Sequence, residues 1–225
     1  MIPAAIVWLQ DTGQPLEALL HGLTASEQEE MSRFHDAGRA RSFFLSRLML
    51  RHLIREQLTE NTDVVLNREH SGRLVMSGAH GWHISLSHCS GRVAVTLAEA
   101  PCGVDIEVFR EVAWEKIARR YFALSEQAWL ESLPEREAGQ AFLQLWTLKE
   151  AGVKAMGKGL ANHLASLAFD ISGEQPRLAT ESNHDKMAVH QIVCEEHILS
   201  AAIMTEEPVS WHLRQLTIDT LQISV

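Results

Sequence analysis

Two carboxylates stand two residues apart in Gly103-Val104-Asp105-Ile106-Glu107. On a strand they project from one face, while Val104 and Ile106 point the other way into a core. Two acids on one face of a buried strand repel each other and lose hydration, which is costly unless a cation compensates. Carboxylate oxygens suit Mg2+, which keeps waters and accepts phosphate oxygens as further ligands. An ordinary solvated strand face carries the same triplet, so the triplet alone does not decide. In Trp146-Thr147-Leu148-Lys149-Glu150-Ala151-Gly152-Val153-Lys154, Glu150 and Lys154 lie four apart on one helical face. A surface salt bridge there contributes about 0.2–0.5 kcal/mol. With Trp146 and Val153 anchoring the helix in a core and Gly157-Lys158-Gly159 following, the same spacing also places an acid and a lysine to meet a metal-bound phosphate. Ser85-Leu86-Ser87-His88-Cys89-Ser90 offers a hydroxyl and an imidazole at a strand-to-turn junction, fit to hold a phosphate or an adenosine. The chain has 12 histidines, and a single one is more often structural than a ligand. No Ser/His/Asp triad is called for.

The elements that must position these residues are readable from periodicity and turn residues. Residues 1–10 are an apolar run that reads as a strand, with no basic flank and far too short for a membrane span. Ser26 and Glu29 form a capping box, and apolar residues at helical spacing, Phe44, Leu48 and Leu53 among them, continue to about Leu58 as one helix or two. Short strands follow at 64–66, 83–86, 92–98 and 103–107, separated by Ser71-Gly72, Ser77-Gly78 and Ser90-Gly91. Trp114, Ile117, Ala118, Tyr121 and Phe122 share a helical face, a further helix begins near Ser125, and another runs over 141–156 and stops at Gly157 and Gly159. Strands resume at 166–171, 187–194 and 197–204. A helix-rich stretch thus precedes a strand pair twice, at 83–99 and at 189–206. The fold class expected is α+β, as two pseudo-symmetric α/β halves with the active site at their interface. The division is set near residue 105, giving 1–104 and 105–225.

A formal charge of −9 argues against bulk nucleic-acid binding, which is met by an excess of Lys and Arg. Cys89, Cys102 and Cys194 are an odd number without a CxxC pair, so free thiols in a reducing compartment are expected. The expectation is a cytoplasmic monomer that binds neither nucleic acid nor membrane.

The order Ser87-His88, then Gly-Val-Asp-Ile-Glu at 103–107, then Trp-x-x-Lys-Glu-Ala-x-x-Lys at 146–154, then Gly-Lys-Gly-Leu at 157–160 resembles the Sfp-type 4'-phosphopantetheinyl transferase superfamily. The resemblance runs from about residue 26 to about 204. It includes Arg33-Phe34, Gly72-Arg73 and the stretch from Arg120 to Glu126. Leu74 stands where the family has proline and Cys89 where serine often follows the histidine. Glu27 and Glu30 occupy first-helix positions where lysines for the coenzyme A phosphate would stand.

The resemblance implies that Asp105, Glu107 and Glu150 hold Mg2+, and that Lys154 neutralises a phosphate. Ser87, His88 and Arg73 would bind the adenosine 3'-phosphate end of coenzyme A. A serine of an acyl or peptidyl carrier protein attacks the β-phosphate, 3',5'-ADP leaves, and Glu150 is the candidate proton acceptor. Carriers of this kind are acidic, and Arg47, Arg51 and Arg55 recur every four residues, either as a docking surface or as a solvated helix face. Two other readings stand beside this one: a metal-dependent phosphohydrolase of nucleotides or coenzymes with water as nucleophile, and a binder of coenzyme A or carrier without turnover.

Overall fold

The computed structural model describes residues 1–58, 64–69, 72–157, 163–180, 182, 186–194 and 196–222. The opening strand β1 (Ile2–Gln10) leads to helices α1 (Ala25–Ser32) and α2 (Ala37–Gln57), then β2 (Val65–Arg68), β3 (Leu74–Ser77), β4 (His83–Cys89), β5 (Arg92–Ala98) and β6 (Cys102–Val108). Helices α3 (Trp114–Tyr121), α4 (Leu124–Ser132) and α5 (Glu135–Ala155) follow. The chain closes with β7 (Phe169–Asp170), β8 (Arg177–Leu178), β9 (Met187–Val193), β10 (His197–Met204), β11 (Val209–Leu216) and α6 (Ile218–Gln222).

One sheet has the order β11-β1-β5-β4 and the other β6-β10-β9. In the first, Ala5, Val7, Leu9, Val93, Val95 and Leu97 bury against Leu45, Leu48 and Met49 of α2. The opposite face, with Ile6 and Ala94, packs on Val104, Ile106, Leu199 and Ala201 of the second sheet. The far face of that sheet, with Ile198 and Ala202, packs on α5 through Leu148 and Ala151. Four layers result, helix, sheet, sheet, helix, and the α+β expectation stands. Within them β1 pairs with β5 as β6 pairs with β10, both antiparallel, and β4–β5 and β9–β10 are the two expected strand pairs. Each half also carries a 21-residue helix, α2 and α5.

The capping box differs from expectation. Thr24 is the N-cap: its hydroxyl accepts from the Glu27 N–H, and Glu27 Oε2 accepts from the Thr24 N–H at 2.9 Å. Thr24 and Ser26 both precede a glutamate by three residues; the box that forms is the one whose glutamate is buried against α2, where Arg51 donates to it. The second half repeats the device, with Glu126 accepting from the Ala123 N–H at the head of α4 and pairing with Lys149 of α5 at 2.6 Å. Lys149 is fully buried, over the Phe122 ring, and donates to the carbonyls of Leu164 and Leu167. The first lysine of the Trp-x-x-Lys-Glu motif is therefore a tether for α4 and the segment after α5.

The arginine stripe is a second correction. Arg47 is 2% exposed and packed on Phe43, Arg51 is half-buried and paired with Glu27, and only Arg55 of the three is exposed. No three-arginine face is presented to solvent, because the helix side that carries them also packs against α1. Strands β3 and β11 were not foreseen, and of the segment 166–171 only the two residues of β7 are strand, Ser166 being the last residue of the 3-10 turn Leu164–Ser166. Lys158, Gly159 and Leu160 of the last motif, and Ser71, lie outside the described residues.

Candidate active site

Strand β6 is at the edge of its sheet, beside β4 of the other sheet. The turn Ser90-Gly91, with φ of 44° and 75°, is the tight hairpin that pairs Cys89 with Arg92 and sets the register of β4. Alternate side chains of β4 then stitch it to β6. The Val104 N–H donates to Ser85 Oγ at 3.1 Å, Ser87 Oγ donates to Asp105 Oδ1 at 2.8 Å, and the Cys89 thiol donates to Glu107 Oε2 at 3.1 Å. Sequence reading singled out Ser87 for a ligand and Cys89 as a departure; the period-two spacing of 85, 87 and 89 was the signal that they share a face.

Gly103 brings α5 onto this strand. A Cβ there would lie 1.9 Å from the Ala151 carbonyl oxygen and 2.6 Å from the Ala155 nitrogen, so only glycine admits the helix. Helical spacing then turns Glu150 and Lys154 toward the acids. Lys154 Nζ donates to Asp105 Oδ1 at 2.8 Å and to the Val104 carbonyl at 3.0 Å. Asp105 is 6% exposed and Glu150 8%. Burial raises the Asp105 pKa, with Lys154 and Ser87 opposing and Glu107 adding repulsion. Burial, then the charges of Asp105 and Glu107, push Glu150 up to about 7 against the pull of Lys154.

Among the described residues no three His, Cys, Asp or Glu side chains are gathered as a ready metal cluster. Asp105 is engaged by Lys154, and Glu107 by Cys89 and Arg110. The donor chemistry nonetheless fits a hard cation: the acids are oxygen donors only, two of them are buried, and the three repel one another through space. Mg2+ is commonly held by one or two carboxylates together with waters and substrate phosphates, which is what Asp105 and Glu150, with Glu107 beside them, can offer.

A cleft of about 760 Å3 runs between the β4 wall and α2, and two of its lining residues, Ser87 and Lys154, bond Asp105. Lys154, His88, Arg39, Arg73, Arg68 and Arg47 line it, so a chain with an excess of acid keeps one strongly cationic groove. Partial desolvation, with Lys154 and then Arg39 nearby, holds the His88 imidazole below its usual pKa. Arg73 lies against the end of α5, where a Cβ on Gly157 would come within 2.5 Å of its Nη1. Of the seven residues expected at the site, Arg73, Ser87, His88 and Lys154 line the cleft; Asp105, Glu107 and Glu150 are not among its lining residues, and Asp105 is joined to it through Ser87 and Lys154. Arg39, Arg47 and Arg68 were missed as cleft residues, because arginine spacing alone does not tell a groove from a solvated face.

Comparison with known proteins agrees with this geometry. Residues 101–209 match the family model of the 4'-phosphopantetheinyl transferase superfamily. A 4'-phosphopantetheinyl transferase of Bacillus pumilus, psf-1, is 26% identical over 208 residues, covering 92% of this chain and 89% of that protein. The Sfp 4'-phosphopantetheinyl transferase of Bacillus subtilis (strain 168) is 26% identical over 156 residues, 69% of each. A Synechocystis protein assigned provisionally to the same activity is 30% identical over 208 residues, covering 87% of this chain and 83% of its own length. These relatives are transferases, which sets aside the phosphohydrolase reading. The chain belongs to the 4'-phosphopantetheinyl transferase superfamily.

Proposed function

We propose that this protein transfers the 4'-phosphopantetheine group of coenzyme A to a serine of an apo acyl or peptidyl carrier protein, as a Mg2+-dependent enzyme of the holo-[acyl-carrier-protein] synthase type. The observation that carries the reading is a cationic cleft two of whose lining residues, Ser87 and Lys154, bond the buried Asp105 carboxylate. A ligand with a diphosphate at the acids and a further phosphate along the groove matches that charge pattern. The division into residues 1–104 and 105–225, with the site between them, belongs to the same proposal, as do action as a monomer and residence in the cytoplasm.

Asp105, Glu107 and Glu150 would hold Mg2+, which when bound neutralises phosphate charge and orients the diphosphate. Lys154 sits against Asp105 and brings its ammonium to the same phosphates. Ser87 holds Asp105 in place through its hydroxyl, while His88 and Arg73 line the groove where the adenosine 3'-phosphate would lie. The serine oxygen of the carrier bonds to the β-phosphorus as the bond from that phosphorus to the bridging oxygen breaks. Departing 3',5'-ADP takes the electron pair beside Lys154, and Glu150 accepts the serine proton.

The test is incubation with Mg2+, coenzyme A and a panel of apo-carriers, followed by intact-mass measurement. A carrier heavier by one phosphopantetheine group, with 3',5'-ADP in solution, supports the proposal. Coenzyme A hydrolysed while every carrier keeps its mass would overturn it.

A further inference from the structure

Where α5 covers the second sheet, one polar patch interrupts an apolar contact. Ile198 and Ala202 of β10 pack with Leu148 and Ala151 of α5, but between them Ser200 faces Thr147, and both are wholly buried. Their hydroxyl oxygens are 2.7 Å apart. Gln191 of β9, also buried, shares its Nε2 hydrogens among Ser200 Oγ at 2.9 Å, the Gln144 carbonyl at 3.0 Å and Thr147 Oγ1 at 3.3 Å. The Thr147 hydroxyl donates to the same carbonyl at 3.0 Å, which leaves Ser200 to donate to Thr147. Each hydroxyl then both donates and accepts, as a buried one must.

The patch is in register with the acids. Gln191 stands opposite Ser200 and Ser200 opposite Asp105, so the three form one row across β9, β10 and β6 on the side that α5 covers. On α5, Glu150 and Lys154 follow Thr147 by three and seven residues, along one helical face. Apolar contact has no direction, and Leu148 and Ala151 alone would let the helix turn on the sheet at little cost. Gly103 admits the helix backbone without choosing its rotation. A turn of α5 would part Thr147 from Ser200 and Gln191 and leave dry polar groups unpaired, which is the costly event. Thr147 does not line the cleft, so any effect it has on the site passes through the helix.

We propose that Thr147, through its buried network with Ser200 and Gln191, is a positioning residue for the acid cluster: it fixes the rotation of α5 that holds Glu150 and Lys154 against Asp105. That the cluster takes Mg2+ rests on the proposed function; the seat of Lys154 on Asp105 does not. Thr147→Val keeps the shape and removes the hydroxyl, Thr147→Ser keeps the hydroxyl, and the triple change Thr147→Val, Ser200→Ala, Gln191→Met makes the patch apolar. Three quantities are read: the melting temperature, Mg2+ binding by calorimetry with coenzyme A present, and the rate at which acetic anhydride acetylates Lys154 in chelator, followed by peptide mass. Thr147→Val should melt about 2–10 °C lower, because Ser200 and Gln191 lose a partner, and the triple change should recover most of that loss. Mg2+ affinity should fall about 10-fold in both, the scale of an outer-shell loss, and should stay within about threefold of the parent in Thr147→Ser. Lys154 should be acetylated faster in both and at the parental rate in Thr147→Ser. A triple variant that regains parental stability together with parental Mg2+ affinity and Lys154 protection makes the network a packing feature only and overturns the proposal. Should the triple variant not fold, a Thr147→Ser as impaired as Thr147→Val, or a Thr147→Val with parental Lys154 protection, overturns it equally. A parent protein that binds no Mg2+ defeats the metal reading alone, and the Lys154 rates then decide.

Discussion

Replacing Glu150 by glutamine should stabilise the metal-free protein at alkaline pH while destroying its activity. The Glu150 carboxyl titrates near 7 instead of the usual 4.5, because burial and the charges of Asp105 and Glu107 disfavour its anion. Between those two values the folded protein keeps a proton that the unfolded chain has released, so stability falls as pH rises through the window. At 1.36 kcal/mol per pH unit the full loss is about 3 kcal/mol, reached by pH 8, with under about 1 kcal/mol of it present at pH 5. Glutamine has no proton to lose. Urea unfolding in chelator should therefore show the variant ahead by about 3 kcal/mol at pH 8, or roughly 6–12 °C in melting temperature for a chain of this size, and nearly level at pH 5. Mg2+ added at pH 8 should raise the parent and leave the variant little changed. A variant no more stable than the parent at pH 8, or a gap of equal size at both pH values, would show that Glu150 does not sit in a field of buried like charges.

Asp105→Ala, Glu107→Ala and Glu150→Ala should each reduce carrier modification by about 100-fold or more, the scale of losing one electrostatic partner of a transition state; chelator should abolish the parental rate and Mg2+ restore it, and a variant at parental rate would remove that acid from the site. His88→Ala should raise the KM for coenzyme A about tenfold and leave that for dephospho-coenzyme A nearly unchanged; equal losses would make the imidazole structural. Gly103→Ala should cost about 3 kcal/mol or more, measured by urea unfolding, because the new methyl meets the α5 backbone, which cannot swing aside as a flexible side chain can. Lys149→Ala should cost about 3–5 kcal/mol by leaving Glu126 buried and unpaired, and the double change Lys149→Met with Glu126→Gln should recover most of it.

What could be read from the sequence was local in period. The alternation through 103–107 told which side chains share a strand face, and the four-residue step from Glu150 to Lys154 told which share a helix face; both held because neither depends on a distant partner. The α+β class and the two strand pairs were legible for the same reason. Where the outcome hung on a tertiary partner, the sequence left equal choices. Thr24 and Ser26 each begin a Ser/Thr-x-x-Glu box, and the contact of Glu27 with Arg51 across α1 and α2 selects the first. Arg47, Arg51 and Arg55 have one spacing and three environments, buried, paired and exposed. Strand β11 escaped notice because its outer half is solvated on both faces and it is held by parallel pairing to β1, some 200 residues earlier in the chain.

That pairing also bears on why the acids sit in only one half. Strands β1 and β6 hold matching places, each antiparallel to the second strand of a hairpin. The other side of β1 is filled by β11, whose backbone satisfies it. Among the described residues no strand fills that side of β6, and its free backbone groups must be met by side chains. The Val104 N–H goes to Ser85 and the Val104 carbonyl to Lys154, which is how a serine of β4 and a lysine of α5 reach the same edge. Once Ser85 is there, Ser87 and Cys89 follow at the strand period and meet Asp105 and Glu107; once Lys154 is there, Glu150 follows one helical turn earlier. The carboxylates are then buried, oriented and short of positive charge. The acid cluster proposed as the site arises where β6 lacks the strand that β1 has among the described residues, because that is where the backbone demands side chains from β4 and α5.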